Sequence, residues 1–216
     1  MTSTLYARDY NEVKLIGSSI TGPPRTAEQT GIAMFWRASP TEIWNGVLTQ
    51  TLAVRTLDLS EKAQAFALLY VASNDVSIAC WDAKYAYNFR RPFPAIFNGQ
   101  ADGNAATVGD TSWSSLLPTP PHPEYPSGHT CNSSAMGTVL KTLFGEAPGV
   151  TIQMTFFGAT RTWQTFDQAI AEVIDARVYS GIHFRNSDEV GAKLGRQVAH
   201  FVMTHAFRRP TGAWKP

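Results

Sequence analysis

Apolar residues recur at three- and four-residue spacing along most of the chain, the pattern of helices that bury one face. Start signals support several of these runs: Thr26 and Ser60 are candidate N-caps, and Ser39-Pro40-Thr41-Glu42 combines a cap with a first-turn proline and acid. About six helices are predicted, over residues 26–38, 40–56, 61–89, 128–144, 165–182 and 188–206. With so little strand beside them, they predict an all-α helical bundle.

Two segments lack the helical pattern. Residues 1–25 are predicted to be an irregular lead-in that ends at the Gly22-Pro23-Pro24 break, and residues 150–157 are predicted to be a short strand or extended segment. The domain assignment is therefore a lead-in over 1–25 and a single helical domain over 26–216.

Residues 92–126 form a long connection without predicted regular structure, and such loops in a compact domain tend to be functional. Its last part is rich in proline, with five prolines in the twelve residues from Pro118 to His129. This run excludes a helix up to Ser127-Gly128-His129, where the next helix begins.

The Ser127-Gly128-His129 sequence suits the binding of an oxyanion. A helix start offers unpaired backbone N–H groups and the positive end of the dipole, glycine allows close approach, and the serine hydroxyl adds a donor. An ordinary capped helix with a first-turn histidine gives the same three residues, so this motif alone does not decide between the two interpretations.

Basic residues in two other helices strengthen the oxyanion interpretation. Lys84 and Arg91 are seven residues apart, which on a continuous helix places them on one face. Arg177 lies inside an otherwise apolar helix, and His183 follows Gly181, where the chain can bend. The alternatives are a solvated basic face and a histidine satisfied in the core or on the surface. Trp81, one turn before Lys84, is expected to belong to the core.

Composition and charge limit the classes of binding partner and the chemistry to be expected. The 216 residues have a formal net charge of +1 and 44% hydrophobic residues, so no global charge favours nucleic acid. Cys80 and Cys131 fit neither a disulfide scaffold nor a zinc site and are expected to be buried apolar residues. No transmembrane segment or signal peptide is recognisable, so a soluble protein of open localisation is predicted.

Taken together, the motifs Lys84-x6-Arg91-Pro92, Pro126-Ser127-Gly128-His129 and Arg177-x5-His183 resemble the three-part signature of vanadium-dependent haloperoxidases and type 2 phosphatidic acid phosphatases. The segments around Trp81-Asp82 and Pro120 to Tyr125 are similar to the soluble haloperoxidase branch. The resemblance covers residues 26–205, and members of that branch are commonly longer, with a further helical bundle before this part.

The resemblance implies a role for each matching residue. Lys84, Arg91, Ser127, Gly128 and Arg177 would hold the oxygens of vanadate, with phosphate or sulfate as possible occupants. His183 would be the nitrogen ligand of vanadium, or the nucleophile in phosphoryl transfer. His129 would be the general acid–base.

Two features of this chain depart from the family pattern. The family often has an acidic residue four positions after the second histidine, but here Ser187 occupies that position and Asp188 follows it. Ser187, or Asn186, is a candidate helix cap instead, so the group that orients His183 is left open. Arg90 stands where an aromatic residue is often found.

The leading interpretation is a vanadium-dependent haloperoxidase that uses hydrogen peroxide, a halide and a small organic acceptor. His122 lies where the family often has histidine in bromide-using members, so bromide is favoured over chloride. The alternatives are a phosphatase or diphosphate-cleaving enzyme that forms a phosphohistidine, acting on a phosphate ester, and a non-catalytic anion-binding homologue.

A homodimer is predicted from the first two predicted helices. Without the preceding bundle of longer members, Phe35, Trp36 and Trp44 are expected to form an exposed apolar patch, which is typical of an interface.

Overall fold

The computed structural model describes residues 1–20 and 24–207, and this part of the chain is mostly helical. Its helices are α1 (Thr4–Ile16), α2 (Ala27–Phe35), α3 (Pro40–Ala53), α4 (Leu59–Tyr87), α5 (Pro92–Phe97), α6 (Gly128–Phe144), α7 (Phe166–Tyr179) and α8 (Arg185–His205). One antiparallel hairpin, β1 (Ile152–Phe156) and β2 (Ala159–Trp163), joins α6 to α7. The six predicted helices are all present, which confirms the helical bundle.

Capping decides where several of these helices begin. Thr26 caps α2 as predicted, and its side chain and that of Gln29 form a reciprocal capping box. The predicted cap of α4 at Ser60 is wrong, because the Asp58 carboxylate accepts the Glu61 N–H in another capping box. The predicted cap of α8 is also wrong: that helix begins after Phe184, so Ser187 lies inside its first turn.

The segment predicted to be an irregular lead-in contains helix α1. Its Tyr6, Tyr10 and Val13 are spaced one turn apart and are buried, and Ser3 caps its start. The Tyr10 hydroxyl donates to the carbonyl of Val108 at 3.0 Å, and the Trp113 indole N–H donates to the carbonyl of Lys14 at 2.9 Å. The helix is thus fastened to the long connection. Of the predicted break at residues 22–24, Gly22 and Pro23 lie outside the described residues.

The long connection also contains regular structure that was not predicted. Pro92 opens α5, since a proline ring fits the first helical turn, and a 3₁₀ turn follows at Gly99–Ala101. From Asp102 to Ser127 the chain is irregular apart from one isolated bridge, between Ser18 and Ser115. The proline-rich run therefore reaches α6 as a loop, as predicted.

Helix α6 is the centre of the bundle, with nearly every side chain buried between α4, α7 and α8. Its approach to α8 is close because Gly191 and Gly195 present no side chain: a Cβ at Gly195 would lie 2.4 Å from the Cys131 carbonyl oxygen. Cys80 and Cys131 are free and buried, as predicted. No helix within the described residues is both long enough and apolar enough to cross a membrane.

The predicted exposed patch does not exist. Phe35, Trp36 and Trp44 are all fully buried. The hairpin covers the first two: Trp163 contacts the rings of both Phe35 and Trp36, and Phe156 contacts Phe35. The prediction failed because β2 was not recognised from the sequence, and the argument for a homodimer through this region is removed with it.

Because α6 and α8 are in close contact, replacing a glycine by alanine should change the free energy of unfolding differently at this contact and at an open position. Gly195→Ala is expected to lower the free energy of unfolding by about 1–3 kcal/mol, because the new Cβ meets backbone. Gly31→Ala, in α2, has open space around its Cβ and is expected to stabilise the protein by about 0.5–1 kcal/mol. Urea unfolding of both variants measures this, and equal effects would contradict the packing described for α6 and α8.

Candidate oxyanion-binding active site

The start of α6 has the features of an anion cradle. Ser127 is the N-cap residue, yet its hydroxyl makes no capping bond, and Gly128 is the first helical residue. The Ser127 hydroxyl is fully buried and faces the Asp188 carboxyl. The backbone N–H groups of the first helical turn are the donors that a helix start leaves for an anion.

Arg91 lies near this cradle, but not, as had been predicted, on the helix that carries Lys84. Helix α4 ends at Tyr87, and Asn88 adopts the left-handed conformation (φ 44°), so Lys84 and Arg91 do not share a helix face. Arg91 is instead the N-cap residue of α5 and is buried, whereas the neighbouring Arg90 is exposed. The chain reversal brings only one of the two arginines to the site.

Hydrogen bonds from Arg91 establish the tautomer of His183. The guanidinium Nη1 donates to the Ile182 carbonyl at 2.8 Å and contacts His183 Nε2 at 2.9 Å. Because a guanidinium only donates, Nε2 must be the unprotonated, accepting nitrogen. Burial and the nearby Arg91 charge hold the pKa of His183 well below its usual range, so the imidazole is neutral.

The other nitrogen of His183 faces a carboxylate. Nδ1 lies 2.7 Å from Glu124 Oε1, which also accepts the Phe184 backbone N–H at 3.0 Å. Glu124 is the single acidic residue between Asp110 and Glu146, and the sequence analysis assigned it no role. Ser187, in the position where the family often has an acid, lies beside the Glu124 backbone instead, with its Oγ 3.4 Å from the carbonyl oxygen.

Arg177 is the second buried guanidinium of the site. One Nη donates to the Trp36 carbonyl at 2.8 Å, while Nε has no hydrogen-bond partner among the described residues. Burial lowers the pKa of Arg177 to about 10, which still leaves it charged near neutrality. Asp188, fully buried, is a nearby opposite charge. Burial raises the pKa of Asp188 well above its usual range, which weakens it as a permanent counter-ion for Arg177.

Lys84 was expected to hold the oxyanion, but its ammonium faces the proline-rich loop instead. Its ammonium, with no exposed surface, lies 2.5–3.0 Å from the carbonyl oxygens of Pro123, Glu124 and Pro126. Three acceptors use all three ammonium donors. Burial lowers the pKa of Lys84 to about 8. In this structure Lys84 fastens the proline-rich loop and contributes charge from behind the cavity wall.

His129 is held as a neutral base. Its Nε2 lies 3.2 Å from the carbonyl oxygen of Ala38, so Nε2 carries the proton and Nδ1 is left as an acceptor. Burial and the Arg177 charge keep its pKa well below the usual range for histidine.

These groups converge on a cavity of about 240 Å³. Its lining includes most of the residues predicted from the sequence: Trp81, Arg91, His122, Gly128, His129, Arg177 and His183. Lys84 and Ser127 were predicted with them but lie behind the wall. Residues that were not predicted, Ser39, Pro40, Thr41, Ser77, Pro120 and Asn132, complete the lining. Ser39, Pro40 and Thr41 are distant along the chain from the motifs. Ser77, Pro120 and Asn132 lie close to the motifs but carry no charge that would single them out.

Trp81 and His122 form one side of this cavity. Trp81 is 40% exposed, which differs from the expected core position, and its ring lies 5.3 Å from that of His122. Arg91 Nη2 lies 3.0 Å from His122 Nδ1, so this nitrogen accepts. Burial and the Arg91 charge lower the pKa of His122.

The fold and the cavity define a helical protein in which buried arginines and neutral histidines line one cavity. Residues 64–212 match the family model described as the VCPO second helical-bundle domain. The chain therefore belongs to this family, within the superfamily of vanadium haloperoxidases.

Individual relatives agree with this assignment. The chain is 25% identical over 151 residues to vanadium chloroperoxidase from Curvularia inaequalis, covering 58% of this chain and 24% of that protein. A bacterial vanadium-dependent iodoperoxidase superposes with a TM-score of 0.80 at 32% identity, over 92% of this chain and 49% of that one. A bacterial vanadium-dependent chloroperoxidase, at 19% identity and TM-score 0.70, shares the fold over 93% of this chain and 48% of its own length. The chain thus spans about half the length of these solved relatives.

The convergence of Arg91 and Arg177 predicts anion-dependent stability. Sulfate, phosphate or vanadate at about 100 times its Kd should stabilise the folded protein by about 2.7 kcal/mol. Arg91→Ala and Arg177→Ala should each lose most of this gain, measured as the anion-induced rise in Tm. Arg90→Ala removes an adjacent exposed cation and should retain it. A full rise in Tm in both cavity variants would contradict the proposed cradle.

Proposed function

We propose that this protein binds vanadate in the cavity at the start of α6 and oxidises halide with hydrogen peroxide. The observation that carries the proposal is the pairing of two buried arginines with an unprotonated imidazole nitrogen, Nε2 of His183, in one cavity. The two arginines would hold the oxyanion, and a nitrogen–vanadium bond needs the unprotonated nitrogen.

The residues of the cavity fit vanadate. Arg91 and Arg177 supply forked cationic donors, and the Gly128 N–H at the start of α6 would complete the shell. His183 would supply the nitrogen ligand. Vanadate bound there would act as a Lewis acid that activates hydrogen peroxide without a change of oxidation state.

His129 is suited to moving the proton of the incoming peroxide. Its Nδ1 is a free acceptor on a neutral ring that lines the cavity, and its Nε2–H is anchored to Ala38. The anchor fixes the ring, so the same nitrogen can accept a proton and return it. Lys84 adds positive charge from behind the wall, which favours negative charge that develops in the cavity.

The halide would enter past Trp81 and His122. We propose that bromide and iodide are used in preference to chloride, because they are more easily oxidised and because His122 offers a polar edge. The relatives differ here, one being named an iodoperoxidase and others chloroperoxidases. A small organic acceptor would then take the oxidised halogen.

A combined assay tests this function against phosphate chemistry in the same cradle. Purified protein is assayed with and without orthovanadate for peroxide-dependent bromination of a dye and for hydrolysis of an aryl phosphate. Vanadate-dependent bromination is expected. Hydrolysis inhibited by vanadate would replace the proposal with a phosphatase, and binding without either reaction would leave an anion-binding homologue.

His129→Ala should separate binding from turnover in that assay. It should retain the vanadate-induced rise in Tm and lose about 10²–10⁴ in bromination rate, because proton transfer is its only role. The exposed His200 of α8 provides a control, His200→Ala, with unchanged rate. Loss of vanadate binding in His129→Ala would contradict the assigned role.

His122→Phe should change the bromide rate or its pH dependence. Since the pKa of His122 lies below its usual value, the ring takes up a proton only towards acid pH, and the difference from the parent protein should be largest there. The measurement is the bromination rate between about pH 5 and pH 8, the range in which histidines titrate. Identical profiles would mean that His122 only packs against Trp81.

A further inference from the structure

The orientation of His183 depends on a residue far from it in the chain. Nδ1 of His183 carries the ring proton, because Nε2 accepts from Arg91, and the atom that faces Nδ1 is Glu124 Oε1 at 2.7 Å. Fifty-nine residues separate the two. Both side chains are buried, so water does not compete for this bond.

Hydrogen bonds hold both the backbone and the carboxylate of Glu124. Its backbone N–H donates to the Phe89 carbonyl at 2.9 Å, and its carbonyl accepts from Lys84 Nζ at 3.0 Å. Its carboxylate also accepts the N–H of Phe184, the residue after His183. The carboxylate is therefore fixed relative to the imidazole rather than free to follow it.

Other nearby side chains do not serve His183 in this way. Ser187, one helical turn further on, contacts the Glu124 backbone and carries no charge. The Asp188 carboxyl faces the Ser127 hydroxyl and Arg177 rather than His183. Glu124 is left as the acceptor for Nδ1.

We propose that Glu124 is the positioning residue that holds His183 with Nε2 unprotonated and directed to the oxyanion cradle. This inference rests on the proposed function for the identity of the ligand, vanadate. A fixed acceptor at Nδ1 selects the tautomer and makes Nε2 a better donor to a metal, and loss of such partners typically lowers metal affinity 10–100-fold. Sulfate can use the cradle but takes no nitrogen ligand, so its binding should not depend on Glu124.

The test compares vanadate and sulfate affinities by calorimetric titration. Glu124→Leu should weaken vanadate binding about 10–100-fold. Sulfate affinity should not fall, because Glu124 does not line the cavity. Glu124→Gln should lose less, since its amide oxygen can accept both bonds now made to Oε1. Asp102→Asn, at a buried carboxylate of the long connection that does not line the cavity, should leave both affinities unchanged.

A second readout needs no vanadate. In ¹⁵N-labelled metal-free protein, the His183 ring nitrogens, identified by comparison with His183→Gln, should show a protonated Nδ1 in the parent and in Glu124→Gln. Glu124→Leu should shift the tautomer towards protonated Nε2. Adding Ser187→Asp to Glu124→Leu puts a carboxylate one turn from His183 and should restore part of the vanadate affinity.

Two binding results for Glu124→Leu would overturn the inference: an unchanged vanadate affinity, or equal losses for vanadate and sulfate, which would mean general damage to the cradle. If the parent itself binds vanadate no better than sulfate, the proposed function fails. The tautomer measurement then still decides the role of Glu124: an unshifted tautomer in Glu124→Leu refutes it.

Discussion

The site depends on the burial of three cations, Lys84, Arg91 and Arg177, within one small volume. Removing charges from water is costly, and proteins usually compensate with buried carboxylates. Here backbone carbonyls accept most of the hydrogen bonds from the three side chains. Carbonyls satisfy donors without neutralising their charge. Two buried carboxyls also lie nearby, but burial raises the pKa of Glu124 to about 7 and that of Asp188 well above its usual range. The cavity therefore keeps a positive potential that an oxyanion can complete.

The proline-rich loop supplies many of those carbonyls. Proline has no N–H and excludes helix and sheet, so the carbonyls around it are not used in regular hydrogen bonding. Lys84 takes three of them and Arg91 takes that of His122. The loop is thereby fixed in place, and with it Glu124, His122 and the start of α6. A segment without secondary structure becomes a rigid wall of the site.

The same positive charges keep the histidines neutral. Burial and the neighbouring arginines lower the pKa values of His122, His129 and His183 together. A neutral imidazole has one protonated nitrogen and one nitrogen with a free lone pair. The hydrogen-bond acceptor beside the ring decides which nitrogen is protonated: Ala38 for His129 and Glu124 for His183. His129 is thus left with Nδ1 as its acceptor and His183 with Nε2, the arrangement that the proposed base and the proposed vanadate ligand require.

The sequence by itself determined the six main helices and the identity of most cavity residues. Periodicity and capping are local, and the spacing of three motifs identified Arg91, Gly128, His129, Arg177 and His183. Tertiary structure decided the contacts between residues that are distant in sequence, which local signals do not specify. Contacts between residues distant in sequence stabilise helix α1 and the hairpin that buries Phe35 and Trp36. The pairing of Glu124 with His183 is also distant in sequence. Lys84 and Arg91 illustrate the difference: their spacing suggested a shared helix face, but the left-handed turn at Asn88 separates them, and the packing of the loop between them sets which atoms each one touches.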